Sequence, residues 1–318
     1  MTEPEALRLV FLGTPEFAVP ALRALARTRH TLLGVVSQPD RPRGRGRRLS
    51  PTPVAAAAKE LGLPLLQAEK LGDETSLAWL RAARPDLGLV VAFGQFIPKS
   101  ARELPPLGMI NAHASLLPRW RGAAPIEWAL DAGDRRTGIS VMRVVREMDA
   151  GDVCLTRELE IGAQETAGEL ASRLAELAAA ALVEAVDALA AGRAQFRAQD
   201  PGQVTLAPKL DRGFARLDFA QHAERVLRRI RAATPRPGVD VSLVGAGKRL
   251  SILRARLGPR HDGVAPGSVR AEDGKLLLAC ADAWLELVEV RLAGRRALPA
   301  EDLLRGFQVA DGERAESP

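Results

Sequence analysis

The chain has 318 residues, 47% apolar and 26% charged, which is the balance of a folded globular protein long enough for two ordinary domains. No apolar run approaches the roughly 18 residues of a membrane helix, and the acidic start Met1-Thr2-Glu3-Pro4-Glu5 lacks the features of a signal peptide. A cytoplasmic protein without membrane association is therefore expected. Formal net charge is +6, and residues 207–318 hold 20 Lys+Arg against 15 Asp+Glu, so the excess lies mostly in the last third. Cys154 and Cys280 stand apart, so neither a disulfide framework nor a metal site is expected.

Leu7–Leu12 reads as a buried strand entering Gly13-Thr14-Pro15, where Thr14 can cap the next helix and Pro15 occupy its first position. Residues 31–37 form a second strand, so the chain opens β-α-β. The first turn lacks a full G-x-G-x-x-G, which gives a nicotinamide dinucleotide weak support. Residues 38–50 place Arg41, Arg43, Arg45, Arg47 and Arg48 among prolines and glycines. Such an arm, with five like charges in close sequence, fits a polyanionic partner that relieves their repulsion.

Thr52 and Pro53 signal a helix over 51–61, followed by a short strand at 63–66 and a helix at 75–83. Residues 87–92 are apolar on both faces, as a central strand would be, and run into the loop 93–98. A further strand ends near 110 and breaks into polar residues. After it come a helix over 125–130, strands at 137–142 and 153–159, and a long helix from about 166 to 190. Alternating strands and helices predict an α/β domain, a Rossmann-like doubly wound parallel sheet, over residues 1–191. Residues 192–206 read as a linker. Beyond it, one helix (219–232) and short strands at 239–243, 249–256, 267–269, 275–279 and 284–291 predict an OB-like β-barrel within 207–318. Residues 311–318 read as a disordered tail.

Chemistry concentrates at the end of the strand near 110. Asn111 and His113 are two apart, so an extended backbone sends both side chains from one face. They bring a neutral carboxamide beside an imidazole that titrates near neutral pH. Ser115, Leu116, Leu117 and Pro118 follow as a shaped ledge, with Arg119-Trp120-Arg121-Gly122 beyond it. Asp149, in the turn Asp149-Ala150-Gly151-Asp152, offers a carboxylate that would orient an imidazole. Such a set suits transfer of a carbonyl group.

The runs Asn-x-His-x-Ser-Leu-Leu-Pro-Arg-Trp-Arg-Gly-Ala-Ala-Pro-Ile at 111–126 and Met-Asp-x-Gly-Asp at 148–152 resemble the formyltransferases that use 10-formyltetrahydrofolate. Phe-x-Gly-Thr-Pro-Glu-Phe-Ala at 11–18, Gln-Pro-Asp-Arg-Pro-x-Gly-Arg-Gly at 38–46, Val-Val-Ala-Phe-Gly at 90–94 and Ala-Pro-Gly at 265–267 extend the likeness along nearly the whole chain. The resemblance implies Asn111, His113 and Asp149 as the catalytic set, with the Asn111 amide and a protonated His113 stabilising an oxyanion and Asp149 helping to accept the amine proton. It implies that Ser115, Leu116, Leu117, Pro118, Phe93 and Gly94 bind the folate donor, without a metal. The arginine loop and the C-terminal region imply a methionyl initiator tRNA as acceptor, with Arg45 foremost among Arg41, Arg43, Arg47 and Arg48, and a monomer. Ala114, Phe93 and Arg236 depart from the family's usual glycine, tyrosine and aromatic residue. Three other readings compete. One is a formyltransferase for a small amine such as a nucleotide sugar or glycinamide ribonucleotide. The others are a non-catalytic RNA-binding protein and, distantly, an oxidoreductase.

Overall fold

The structure, a computed structural model, describes residues 5–43, 48–310 and 312–317. It divides into two compact units. The first comprises the chain up to Pro125, Arg136–Leu159 and Ala171–Ala207; the second comprises Ile126–Arg135, Glu160–Leu170 and the chain from Pro208.

In the first unit β1 (Arg8–Gly13) leads through a 3-10 turn into α1 (Val19–Leu25), and β2 (Thr31–Ser37) returns parallel to β1. Thr14 does not cap that helix: its hydroxyl donates to the Phe93 carbonyl at 2.8 Å, so it ties two loops of the sheet edge together. β3 (Arg41–Arg43) and β4 (Arg48–Ser50) pair antiparallel, and the tip between them, with Arg45 and Arg47, lies outside the described residues. α2 (Pro53–Glu60) begins as its sequence predicts, with Thr52 accepting the Ala55 N–H at 3.1 Å. Then follow β5 (Leu65–Gln67), α3 (Glu74–Ala83), β6 (Leu87–Val91), α4 (Lys99–Arg102) and β7 (Met109–His113). The chain continues with β8 (Arg121–Gly122), α5 (Pro125–Ala132, in the second unit from Ile126), β9 (Arg136–Arg143), β10 (Val153–Glu160), α6 (Ala167–Ala190, in the first unit from Ala171) and β11 (Leu206–Ala207).

The main sheet runs β10-β9-β7-β6-β1-β2-β5. From β7 to β5 every pair is parallel, as the alternating pattern predicts, whereas β9 runs antiparallel to β7. The link from β9 to β10 is too short for the dozen or so residues of a parallel crossover, so these two strands form a hairpin whose turn carries Asp149 and whose second strand is the sheet edge. β1 and β6 are buried on both faces, the outcome their unbroken apolar runs require. Because β1, β2, β6 and β7 are parallel, the loops that follow them gather at one edge, where ligands of open α/β sheets bind. β7 extends through His113, beyond the break expected near 110, so Asn111 and His113 sit within the ladder.

The second unit holds α7 (Ala223–Ala233), β12 (Val239–Leu243), β13 (Lys248–Arg260), β14 (Val269–Glu272) and β15 (Lys275–Ala279). β16 (Ala283–Leu292), β17 (Leu298–Pro299), α8 (Ala300–Leu304) and β18 (Ala315–Glu316) complete it. Its antiparallel sheet is ordered β14-β15-β16-β13-β12-β18, and register shifts between β13 and β16 bend the long strands. The result is a curled half-barrel of the expected kind. Asp131 is buried here and receives both Arg225 and Arg229, with Arg229 Nε at 2.6 Å. Removing one member of such a buried network typically costs about 3–5 kcal/mol.

The tail expected to be disordered is ordered through most of its length. Glu313 is 2% exposed and its carboxylate accepts the Gly245 and Ala246 amides at 2.7 and 2.9 Å, while β18 pairs with β12. The two turn amides that Glu313 accepts tie the tail to the β12–β13 hairpin.

The start of α6 is a capping box. Thr166 N–H donates to Glu169 Oε2 at 2.9 Å, the Thr166 hydroxyl does so at 2.8 Å, and Arg254 pairs with the same carboxylate. The Thr166 amide foremost, then the Arg254 and Thr166 side chains, hold the Glu169 carboxyl down to about 2 against burial, which raises it. A depressed carboxyl stabilises the fold above its ordinary value and loses that contribution as pH falls through the depressed one. Glu169→Gln should therefore lower the melting temperature at neutral pH, with a cap-sized loss of about 1 kcal/mol. The gap between variant and parent should close between pH 4.5 and about 2 in a thermal-melt series. A gap that is constant across that range would refute the assignment.

Candidate active site

Asn111 and His113 leave the same face of β7, and Met142 and Ser140 of β9 stand opposite them in the ladder. Asn111 is half-buried, and among the described residues its carboxamide has no hydrogen-bond partner, which leaves it free to meet a ligand. His113 is 6% exposed. Its Nε2 lies 2.9 Å from the Trp120 carbonyl and its Nδ1 lies 3.6 Å from Asp149 Oδ2. A carbonyl only accepts, so the proton of the neutral ring resides on Nε2 and the lone pair faces Asp149. His113 was expected as an oxyanion donor, and its Nε2 is engaged with Trp120 in this arrangement. The ring atom facing the carboxylate is Nδ1.

Asp149 accepts the Gly122 N–H at 2.9 Å through the same oxygen that faces His113. One short loop thereby fixes the imidazole through the Trp120 carbonyl and the carboxylate through the Gly122 amide. Both loops are held in conformations that L-residues avoid: Trp120 has φ 62° and Asp149 φ 52°, and Ala92 at the end of β6 has φ 46°. Such residues cost about 1–3 kcal/mol each and persist only where their surroundings hold them, commonly at functional sites.

The expected folate-binding residues separate into those that can face a ligand and those that cannot. Leu116, Leu117 and Pro118 are half-exposed on the ledge. Ser115 is fully buried and donates to the Arg119 carbonyl at 2.6 Å, so its hydroxyl closes the loop and does not reach outward. Phe93 is 2% exposed in the core with Val10, Leu12 and Val36, so its ring does not line the edge. What it presents there is its carbonyl, which accepts from Thr14 and from Gln38 at 3.0 Å. Gly94 is exposed at φ 77°, and a Cβ there would meet Gln38 Nε2 at 2.7 Å. Of the arginine arm, Arg41 is exposed with Glu69 at 3.5 Å, and Arg43 and Arg48 are paired in the backbone of the β3–β4 hairpin.

The sequence reading missed three residues that shape the site. Ser140, fully buried opposite His113, donates to the Ser115 carbonyl at 2.8 Å and accepts the Leu117 N–H at 3.0 Å. Thr205 accepts the Trp120 N–H at 2.9 Å through its hydroxyl and the Arg121 N–H at 2.9 Å through its carbonyl. Gln199 contacts both Arg121 and the Asp149 turn. The β-branched pair Val204-Thr205 was the available sign that this stretch is extended and paired. Among the described residues no group of three or more His, Cys, Asp or Glu side chains could hold a metal ion.

A Rossmann-like unit that presents amide, imidazole and carboxylate at its strand ends, with a curled antiparallel unit after it, defines a class of group-transfer enzyme. The chain belongs to the formyl transferase family: the formyl transferase domain matches residues 7–186 and the formyl transferase C-terminal domain matches residues 209–308. The methionyl-tRNA formyltransferase of Acidobacterium capsulatum is 44% identical over 310 residues, 97% of this chain and 99% of its own length. That of Pseudomonas paraeruginosa is 45% identical over 311 residues, 96% and 99% of the two chains. Among solved structures, HypX from Aquifex aeolicus in complex with tetrahydrofolic acid shares the fold at TM-score 0.64 and 18% identity, over 94% of this chain and 47% of its own. The sugar 3N-formyl transferase WlaRD does so at TM-score 0.65 and 11% identity, over 92% of this chain and all of its own, 100%.

The Asp149 turn leaves no room for a side chain at Gly151, where a Cβ would come within 2.0 Å of the Arg143 carbonyl. Gly151→Ala should destabilise the protein by about 1–3 kcal/mol, the usual consequence of forced overpacking. Gly306→Ala, where a Cβ meets nothing within 4 Å, serves as the control. Denaturant midpoints for both variants check this, and equal midpoints would show that the turn moves freely.

Proposed function

We propose that the chain transfers the formyl group of 10-formyltetrahydrofolate to the α-amine of methionyl initiator tRNA. The observation that carries this reading is the uncommitted Asn111 carboxamide beside the His113–Asp149 pair, in a chain similar over nearly its full length to proteins of that activity.

The donor set fits a folate carbonyl. An amide free of internal partners at the sheet edge, next to the half-exposed Leu116–Pro118 ledge, offers one polar contact and an apolar surface. Bound there, the folate supplies a carbonyl carbon and a nitrogen leaving group. Attack of an amine on a carbonyl shifts negative charge to the oxygen and leaves an extra proton on the attacking nitrogen. Asn111 N–H answers the first need, and a preorganised donor of this kind contributes roughly 3–4 kcal/mol. His113 answers the second. With its Nε2–H given to Trp120, the neutral ring accepts a proton at Nδ1, the ring atom that faces the Asp149 carboxylate at 3.6 Å.

Recognition of tRNA falls to the arginine hairpin and the basic C-terminal region, which meet phosphates and make affinity depend on salt. Unpaired bases at the acceptor end suit readout by an inserted loop, the usual mode for single-stranded RNA. Arg45 carries the largest share of that contact. A small-amine acceptor would leave five arginines at 41–48 without a role, and a pure RNA binder would leave the amide, imidazole and carboxylate without one.

The deciding measurement is formyl transfer to initiator methionyl-tRNA, elongator methionyl-tRNA and free methionine at two salt concentrations. Transfer to the initiator alone, weaker at high salt, is expected. Binding of folate with transfer to none of them would redirect the reading to a small amine. In the same assay Asn111→Ala should lower kcat about 100- to 1000-fold, and His113→Ala and Asp149→Ala about 100-fold or more. Folate affinity should hold in all three. Arg45→Ala should raise KM for tRNA and flatten its salt dependence while sparing the folate; equal damage to both substrates would refute that division.

A further inference from the structure

Gln199 comes from the stretch between α6 and β11, which composition alone marks as a connection. Its side chain uses every hydrogen-bonding position it has. Nε2 donates to the Asp149 carbonyl at 2.8 Å and to the Gly151 carbonyl at 2.7 Å, while Oε1 accepts Arg121 Nε at 2.9 Å and Nη2 at 2.8 Å. A primary amide has two donors and two acceptor sites, and all four are used here. The backbone around Gln199 is itself fixed. Arg197 and Val153 exchange N–H···O bonds of 2.9 Å at the start of β10, and Thr205 binds the ledge at Trp120 and Arg121.

We propose that Gln199 is a positioning residue for the transfer reaction: it pins the turn that carries Asp149 and joins that turn to the ledge through Arg121. The inference rests on the catalytic reading of Asp149 given above. Asp149 occupies a left-handed conformation, and its carboxylate has the Gly122 amide as a partner. Within the turn, Asp149 is a residue type that tolerates that conformation, and Gly151 packs against Arg143. Gln199 supplies the restraint from outside the turn, on both sides of Ala150. A glutamate in its place keeps the acceptors for Arg121 but turns both donors into acceptors that face the two carbonyls. It therefore separates the turn side of the clamp from the ledge side.

The test compares Gln199→Glu, Gln199→Ala and Asp149→Ala, with kcat, both KM values, melting temperature and amide hydrogen exchange at residues 149–152 as readouts. Both Gln199 variants should lower kcat about 10- to 100-fold, the scale of a small misplacement of a reacting group. KM for tRNA and for 10-formyltetrahydrofolate should stay near the parent values, and exchange at Ala150 and Gly151 should accelerate. Wild-type kcat in Gln199→Glu beside an impaired Asp149→Ala overturns the role of Gln199 and leaves the catalytic reading standing. So does a fall in melting temperature with kcat intact, or a change confined to KM. Wild-type kcat in Asp149→Ala overturns the catalytic reading, and the role of Gln199 falls with it.

Discussion

A chain that leaves a sheet must find partners for its backbone amides elsewhere, and the loop after β7 finds them in residues 205–207. Arg121 N–H goes to the Thr205 carbonyl, Ala123 N–H to the Ala207 carbonyl at 2.8 Å, and Trp120 N–H to the Thr205 hydroxyl. The short β8–β11 pairing forms because of this need, and Gly122 is required there because a Cβ would meet the Ala207 carbonyl at 2.4 Å. Without those partners the amides of the ledge would lose the bonds that hold it to this strand. The ledge in turn sets the Trp120 carbonyl on His113 and the Gly122 amide on Asp149, so the geometry of the catalytic candidates descends from a strand distant in sequence.

The same dependence explains where strain collects. Ala92, Trp120 and Asp149 each adopt positive φ in one of the loops that meet at this edge. None is a glycine, and each is over-determined by bonds from another segment: the Phe93 carbonyl next to Ala92 takes Thr14 and Gln38, Trp120 takes Thr205, and Asp149 takes Gly122 and Gln199. Regular strands bring the loops near each other, and side chains from outside each loop set its final course.

Periodicity and turn residues revealed most of the first unit, because continuous apolar runs such as 87–92 and capping signals such as Thr52-Pro53 act locally. The antiparallel hairpin was harder to foresee, since a buried strand such as β9 has the same apolar run in either direction and only the length of its link to β10 betrays the hairpin. At the site, Asn111 and His113 were legible from spacing on an extended chain. Ser115 and Phe93 were not, because a motif identifies residues that occur together but does not distinguish a hydroxyl closing a loop from one facing a ligand. Gln199 was invisible for a different reason. Its partners are backbone carbonyls and an arginine far away in sequence, and one of three glutamines in a polar stretch has the look of a solvated one. The ordered tail escaped notice likewise, since its anchor, Glu313, satisfies amides of a hairpin nearly seventy residues earlier.

Three of the clamps that hold the edge together are glutamine amides on backbone groups: Gln38 on Phe93, Gln95 on Leu71 and Ala68, Gln199 on Asp149 and Gly151. An amide carries no charge to screen and no proton to lose. These clamps are thus electrically silent, and changes of ionic strength that screen the hairpin arginines leave them in place. Responses of the protein to such changes then report on the groups that meet the polyanion, with little contribution from these amides.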